Sequence, residues 1–145
     1  MRWLAGAILA LALAGCERGA MDGDHFAPGT WHIEAWMESN QGSTRGQPGA
    51  TLTDTVKLTP EQAREPPATV FFSRFYHGVG KGDIRFSGGR IEGSFHQPGV
   101  DDISAHEVAV TGTYGSDHFR VTFGYQAFGM TMNQVAEGRL VEALP

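Results

Sequence analysis

The chain of 145 residues contains a single cysteine, Cys16, and few basic side chains. Lysine and arginine number 11 against 16 aspartates and glutamates, and the net charge is −5. Proteins that bind nucleic acid neutralise phosphates with lysine and arginine, so this balance argues against a nucleic-acid partner. A lone cysteine cannot form an internal disulfide, so a packed core must hold the fold together.

Long apolar runs are also scarce, and the one at the amino terminus is short. Residues 3–13 are apolar and follow the positive charge of Arg2. A helix needs about 20 such residues to cross a hydrocarbon core about 30 Å thick, so this run is too short to span a membrane. Its proportions are those of a signal peptide, and residues 1–15 are therefore set apart from the fold.

The apolar run ends at Leu13-Ala14-Gly15-Cys16, the arrangement that a bacterial lipoprotein signal peptidase recognises. The sequence predicts cleavage before Cys16, a diacylglycerol on its sulfur and an acyl chain such as palmitate on its new amino group. Two or more chains anchor a protein firmly, whereas one does so only marginally. An ordinary secretory signal that happens to contain a cysteine is the alternative.

The predicted location is the cell envelope, on a lipid anchor that faces the periplasm. Glu17 follows the cysteine where an aspartate would favour the inner membrane, which points to the outer membrane. Residues 16–27 are predicted to be the lipidated cysteine and a flexible polar tether. Residues 28–145 are enough for one compact domain and too few for two.

This domain is predicted to be all-β, because period-two alternation recurs and helical periodicity is nearly absent. The clearest strand is 118–127, in which Phe119, Val121, Phe123 and Tyr125 share one face. Gly88-Gly89 predicts a tight hairpin, since primed turns need positive φ. The predicted strands are 31–37, 51–58, 70–77, 83–87, 90–97, 103–114, 118–127 and 131–141.

About eight strands with short connections favour an antiparallel meander that forms a barrel or a strongly curled sheet. A closed or nearly closed up-and-down barrel is preferred because closure removes exposed edges. A β-sandwich of two packed sheets is the alternative. One short helix is predicted to begin near Thr59, which can cap it ahead of Pro60, and to end at Pro66-Pro67.

Four short segments occur in a characteristic order: 28–31 (PGTW), 58–63 (LTPEQA), 87–93 (SGGRIEG) and 111–114 (TGTY). Together they resemble a family of small exported proteobacterial proteins catalogued as a domain of unknown function. That family opens with a Pro-Gly-x-Trp strand, and its members often have a lipoprotein signal. Many relatives carry paired cysteines that are missing here, so a disulfide pairing is not implied. The resemblance implies a fold and a location but no activity.

The sequence predicts no metal site, no cofactor and no catalytic residue. A zinc site requires ligands at short, definite spacings, and the histidines show none. Ser104 and His106 share a strand face but lack the Gly-x-Ser-x-Gly elbow of a nucleophile. The glycine-rich segment 78–82 lacks the ending of a phosphate loop. The histidines are His25, His32, His77, His96, His106 and His118.

Two functions remain open, and an enzyme is not supported. The first is a binding module for a lipid or another apolar molecule, because a small barrel can enclose one apolar ligand. The second is an interaction protein that docks on an envelope protein through Trp36, which is predicted to be exposed beside His32, Glu34 and Glu38. The predicted ligand lining is Trp31, Phe86, Phe95, Phe119, Phe123 and Tyr125.

Overall fold

A computed structural model describes residues 24–77, 82–99 and 104–145. The predicted signal peptide, the lipidation site Cys16 and the following Glu17 lie outside the described residues. So do most of the glycine-rich segment 78–82 and the start of the strand predicted at 103.

The described chain forms one antiparallel sheet of eight strands, which confirms the all-β fold class. The spatial order of the strands is β3, β1, β8, β7, β6, β5 and β4. The short β2 also pairs with β1, beyond β3. No pairing of β3 with β4 closes the sheet in the described part of the chain. The strands are β1 (Gly29–Ser39), β2 (Gly42–Ser43), β3 (Leu52–Leu58), β4 (Asp83–Ser87), β5 (Arg90–Gln97), β6 (His106–Tyr114), β7 (His118–Ala127) and β8 (Met130–Ala143).

The β4–β5 hairpin has the predicted bounds and the predicted turn. Gly88 and Gly89 have φ values of 58° and 78°, the left-handed region that glycine adopts without a steric penalty. The bounds of β7 also match the prediction, and Phe119, Val121 and Phe123 are buried on its inner face. Alternation was a good guide in these strands because each has one face on the core and one in solvent.

The strand predicted at 70–77 is wrong, because this segment is helical. Helix α2 (Pro67–Val70) continues directly into a π-helical turn (Phe71–Phe75), closed by a hydrogen bond from Tyr76 N to the Phe71 carbonyl of 2.8 Å. Pro67 has the fixed φ of a first helical residue. Phe71 and Phe75 are four residues apart and both buried, so the apolar spacing is helical and the alternation was misleading.

The helix predicted near Thr59 is present as α1 (Pro60–Ala63). The Thr59 side chain accepts a hydrogen bond from Gln62 N, and the Gln62 side chain accepts one from Thr59 N, which makes a capping box. The helical segment that follows, 67–75, lies against both β3 and β4. It therefore occupies the gap between the two strands that would have to pair for a barrel to close.

The domain begins before the predicted boundary at Pro28. Phe26 is 1% exposed and packs inside the sheet. Ala27 N donates to the Ser116 carbonyl at 2.8 Å, and its own carbonyl accepts from Trp31 Nε1 at 3.0 Å. The chain thus enters the fold where β1 begins, β8 ends and the β6–β7 turn lies. We call this the entry end, and the opposite end, with the β1–β2 and β7–β8 turns, the far end.

Candidate functional site

The six residues of the predicted ligand lining face the inside of the sheet. Four of them, Trp31, Phe95, Phe119 and Phe123, are buried. The other two, Phe86 and Tyr125, are half-buried and pack against the same core. The structure therefore brings the predicted set to one side of the sheet, and their binding of a ligand stays a prediction.

Aromatic rings from outside the predicted set fill the space in front of these residues. The Phe75 ring lies 4.9 Å from the Trp31 ring and stacks on Phe119 at 5.3 Å. Phe26 meets Trp31 edge-on at 5.5 Å, and Phe71 meets Phe119 edge-on at 5.1 Å. Such pairs are favourable packing arrangements, so the entry half of the interior is a core made of the protein's own side chains.

A hydrogen-bonded polar pair lies on the inner face of the sheet, in the half nearer the far end. Tyr76 stacks on Phe123 at 4.6 Å and donates its hydroxyl to Gln134 Oε1 at 2.6 Å. Burial raises the pKa of the Tyr76 hydroxyl to about 12, with a smaller effect from Tyr125. This pair could not be predicted from the sequence, because the alternation predicts a strand at Tyr76 and Gln134 is 58 residues away.

The prediction of an exposed Trp36 is wrong. Trp36 lies on the outer face of β1 as expected, but it is 2% exposed. The Arg45 guanidinium, from the loop after β2, lies over its ring at 4.2 Å, and that of Arg120 lies at 5.5 Å. Its Nε1 donates to Glu38 Oε1 at 2.9 Å. A loop and two arginines therefore cover the side chain that was expected to be free for a partner.

The arginines above Trp36 are held by a carboxylate between them. Glu137 on β8 accepts from Arg120 Nη1 at 2.8 Å and from Arg45 Nη2 at 2.7 Å, with one oxygen for each. Its side chain is 17% exposed, the least of the ion-paired groups in the described chain. Arg45 also donates to Glu34 at 3.2 Å. We call Trp36, Arg45, Arg120, Glu34 and Glu137 the Trp36 cluster.

Glu34 connects this cluster to His32, whose Nε2 lies 3.5 Å from its Oε1. Burial raises the pKa of the Glu34 carboxyl, but hydrogen bonds from Arg45 and His32 outweigh it and hold the pKa below its ordinary value. Glu34 is thus a charged group with fixed partners at neutral pH.

A shallow cleft of about 100 Å³ opens beside the cluster. It is lined by His32, Glu34, Arg45, Glu137 and Arg139. His32 and Arg139 are direct partners across the β1–β8 ladder, and His118 is the partner of Arg139 on β7. In the described part of the chain Arg139 has no ion pair, whereas both glutamates of the cleft are bound by Arg45. The cleft therefore presents the guanidinium of Arg139 to solvent at one side.

The remaining histidines of the strands contact a residue of their own segment or of a neighbouring strand, as His106 does with the Tyr125 ring at 5.2 Å. His96 Nδ1 lies 2.9 Å from Glu107 Oε1, and His118 Nδ1 lies 2.7 Å from Asp117 Oδ1. His106 Nδ1 contacts the backbone carbonyl of Ser104 rather than its hydroxyl. Over residues 24–77, 82–99 and 104–145, no three histidine, cysteine or acidic side chains are grouped so that they could hold a metal ion.

The far end carries one exposed aromatic residue. Phe128, in the β7–β8 turn, is 76% exposed and has a φ of 52°. Positive φ costs energy in a residue with a branched or bulky side chain, and glycine would be the relaxed choice. The sequence predicted a turn here at Gly129 but did not mark Phe128 as exposed.

No family model, no curated protein and no solved structure matches this chain. The resemblance to the exported family with a Pro-Gly-x-Trp strand therefore stays a prediction. Among the described residues, no helix has the length and apolar character needed to cross a membrane.

Proposed function

We propose that this protein is a bacterial envelope lipoprotein that acts as a non-catalytic interaction module. Cys16 anchors it, and the outer face of β1, β8 and β7 binds another envelope protein. The observation that carries the proposal is the contrast between the two faces of the sheet. The inner face is filled by aromatic rings, whereas the outer face holds charges in fixed positions around an open cleft.

The filled interior weighs against an apolar ligand in the entry half of the fold. A core at ordinary packing density has no room for a ligand. Phe75 packs against both Trp31 and Phe119, and those two rings stack on each other at 6.2 Å, so the protein's own side chains cover this part of the predicted lining.

The outer face supports a protein partner through its charge arrangement. Fixed, complementary charges determine which partner binds and in what register. Arg45 already neutralises Glu34 and Glu137, while Arg139 and His32 face the cleft. An acidic side chain of the partner fits this cleft, because it would meet a guanidinium without displacing an existing ion pair.

A photo-activated cross-linker at Thr55 tests this function in the producing bacterium. Thr55 is exposed and is the ladder partner of His32, so its side chain lies next to the cleft. We expect one cross-linked protein, identified by mass spectrometry. Arg139→Glu should abolish the cross-linked product. Arg64→Glu makes the same charge change on an exposed residue after α1, which does not line the cleft, and should leave the product intact.

No product at Thr55, or a product that survives Arg139→Glu, would contradict the proposal. The melting temperature of both variants should match the parent, because neither arginine has an ion pair within the described chain. Equal melting temperatures separate a lost contact from a lost fold.

Binding of an apolar molecule is the second candidate, and the Tyr76–Gln134 pair favours it. This pair is a polar anchor beside Phe123 and Tyr125, in the half of the interior nearer the far end. Ligand sites are mostly apolar with a few polar groups. A non-covalent, lipid-sized adduct in native mass spectra of the purified protein, lost in Gln134→Leu, would favour this function over the first.

A further inference from the structure

We propose that the entry end of the domain rests on the phospholipid surface in which Cys16 is anchored, and that the far end points away from the membrane. This inference depends on the proposed function, because it requires a lipidated Cys16. It assigns a second surface of the protein to a second partner, the headgroup layer of the bilayer.

The length of chain between the anchor and the fold limits the orientation. Phe26, which is fixed in the core, is ten positions after Cys16 in the chain. An extended chain spans at most about 3.6 Å per residue, so the segment reaches at most about 36 Å. Strand β1, with 11 residues at about 3.3 Å each, extends over a similar distance. Turning the far end to the bilayer would therefore use the full length of the segment.

Within the described ranges, the entry end also carries two exposed apolar side chains, whereas the far end carries one, Phe128. Val141 is 62% exposed and Leu144 is 36% exposed. Thr30 pairs with Glu142 and Trp31 with Leu140, so Val141 is the extra residue of a bulge at the end of β8. Leu144 is held beside the point of entry, since its N–H donates to the Pro28 carbonyl at 3.1 Å.

Charged residues of both signs lie at this end, which suits zwitterionic headgroups. Lys57 on β3 is the ladder partner of Thr30. Glu142 is the partner of Thr30 on β8, Asp117 lies in the β6–β7 turn, and Asp24 precedes Phe26. The contact is therefore apolar, with Lys57 at phosphate groups, and it does not require anionic lipid.

An introduced cysteine measures the orientation, because Cys16 is the only native cysteine and its sulfur carries the lipid. Ala143→Cys places a fluorophore at the entry end, and Asn40→Cys places the same fluorophore at the far end; both positions are exposed. The full lipidated protein is reconstituted in vesicles of phosphatidylethanolamine and phosphatidylcholine with nitroxide-labelled headgroups. We expect several-fold stronger quenching at position 143 than at position 40.

Equal quenching at the two positions, or stronger quenching at position 40, would overturn the orientation. Failure of the protein to bind the vesicles at all would overturn the lipid anchor instead, so the two proposals fail in different ways. Val141→Ser combined with Leu144→Ser should reduce quenching at position 143. Leu52→Ser, which changes an equally exposed side chain on β3, should leave it unchanged. Unchanged quenching in the double variant would overturn the apolar contact.

Discussion

Arg45→Ala should expose Trp36 and destabilise the domain by an amount that can be worked out from its contacts. Arg45 lies over the Trp36 ring at 4.2 Å and donates to Glu34 and Glu137 at 3.2 and 2.7 Å. A cation–π contact at an exposed site contributes about 0.5–1 kcal/mol. Each partly exposed ion pair contributes about 0.2–1 kcal/mol. We expect a loss of about 1–3 kcal/mol in the free energy of unfolding.

Urea denaturation measures this loss, and tryptophan fluorescence reports its location. After residues 1–15 are removed, the protein keeps two tryptophans, Trp31 and Trp36, and both are buried. Since Trp31 is far from Arg45 in the core, a red shift of the emission in Arg45→Ala would come from Trp36. The midpoint of denaturation should fall while its slope stays the same, because the surface exposed on unfolding changes little.

Two control variants separate the contributions. Arg45→Lys keeps the charge but loses the planar group over the ring, so it should recover part of the stability and only part of the emission shift. Arg64→Ala removes an exposed arginine outside the Trp36 cluster and should change neither. High salt should reduce the difference between Arg45→Ala and the parent, because it screens the ion pairs. An unshifted emission maximum in Arg45→Ala would refute the cover over Trp36.

Three further predictions concern the anchor, the strand faces and the buried tyrosine. Cys16→Ser should leave unprocessed precursor, seen as a slower band on gels, and normal processing of this variant would disprove lipidation. Phe123→Asp should unfold the domain, because it buries an unpaired charge, whereas Thr122→Asp on the outer face should lower the melting temperature only slightly; equal losses would contradict the assigned faces. Tyr76→Phe should make the domain lose less stability in alkali than the parent does. The pKa of the Tyr76 hydroxyl is about 12 in the folded protein, above its ordinary 10.0. Its neutral form therefore stabilises the fold fully below pH 10, and this stabilisation is lost as pH rises towards 12. Identical alkaline unfolding curves of Tyr76→Phe and the parent would contradict this.

Much of the sheet could be predicted because the alternation of apolar and polar residues along a strand shows which side chains lie on each face. The hairpin at Gly88 and Gly89 and the whole of β7 follow from turn chemistry and alternation alone. The prediction of a strand at 70–77 was wrong because aromatic residues are common both in strands and in buried helices. Only the spacing of Phe71 and Phe75, with Pro67 at the helix start, distinguishes the two, and both signals were present in the sequence.

The Trp36 cluster could be predicted only in part. The sequence placed His32, Glu34 and Trp36 together on the polar face of β1, and the structure does the same. It could not place Arg45 over the ring or Glu137 between two arginines. Those contacts depend on the register of β8 against β1 and on where the loop after β2 packs. Neither can be predicted from the pattern of apolar and polar residues within a single strand.

The position of β8 in the sheet has a consequence for how the chain reaches its native state. The last strand of the chain pairs on one side with β1 and on the other with β7, so Trp36 lies opposite Val135, with about a hundred residues between them. The central ladder therefore cannot form until the residues of β8 are available, and pairing over such separations is slow. Until then β1 and β7 both have unpaired edges, which favour association with other chains. Premature termination before Met130 should therefore leave an aggregation-prone chain rather than a shortened domain.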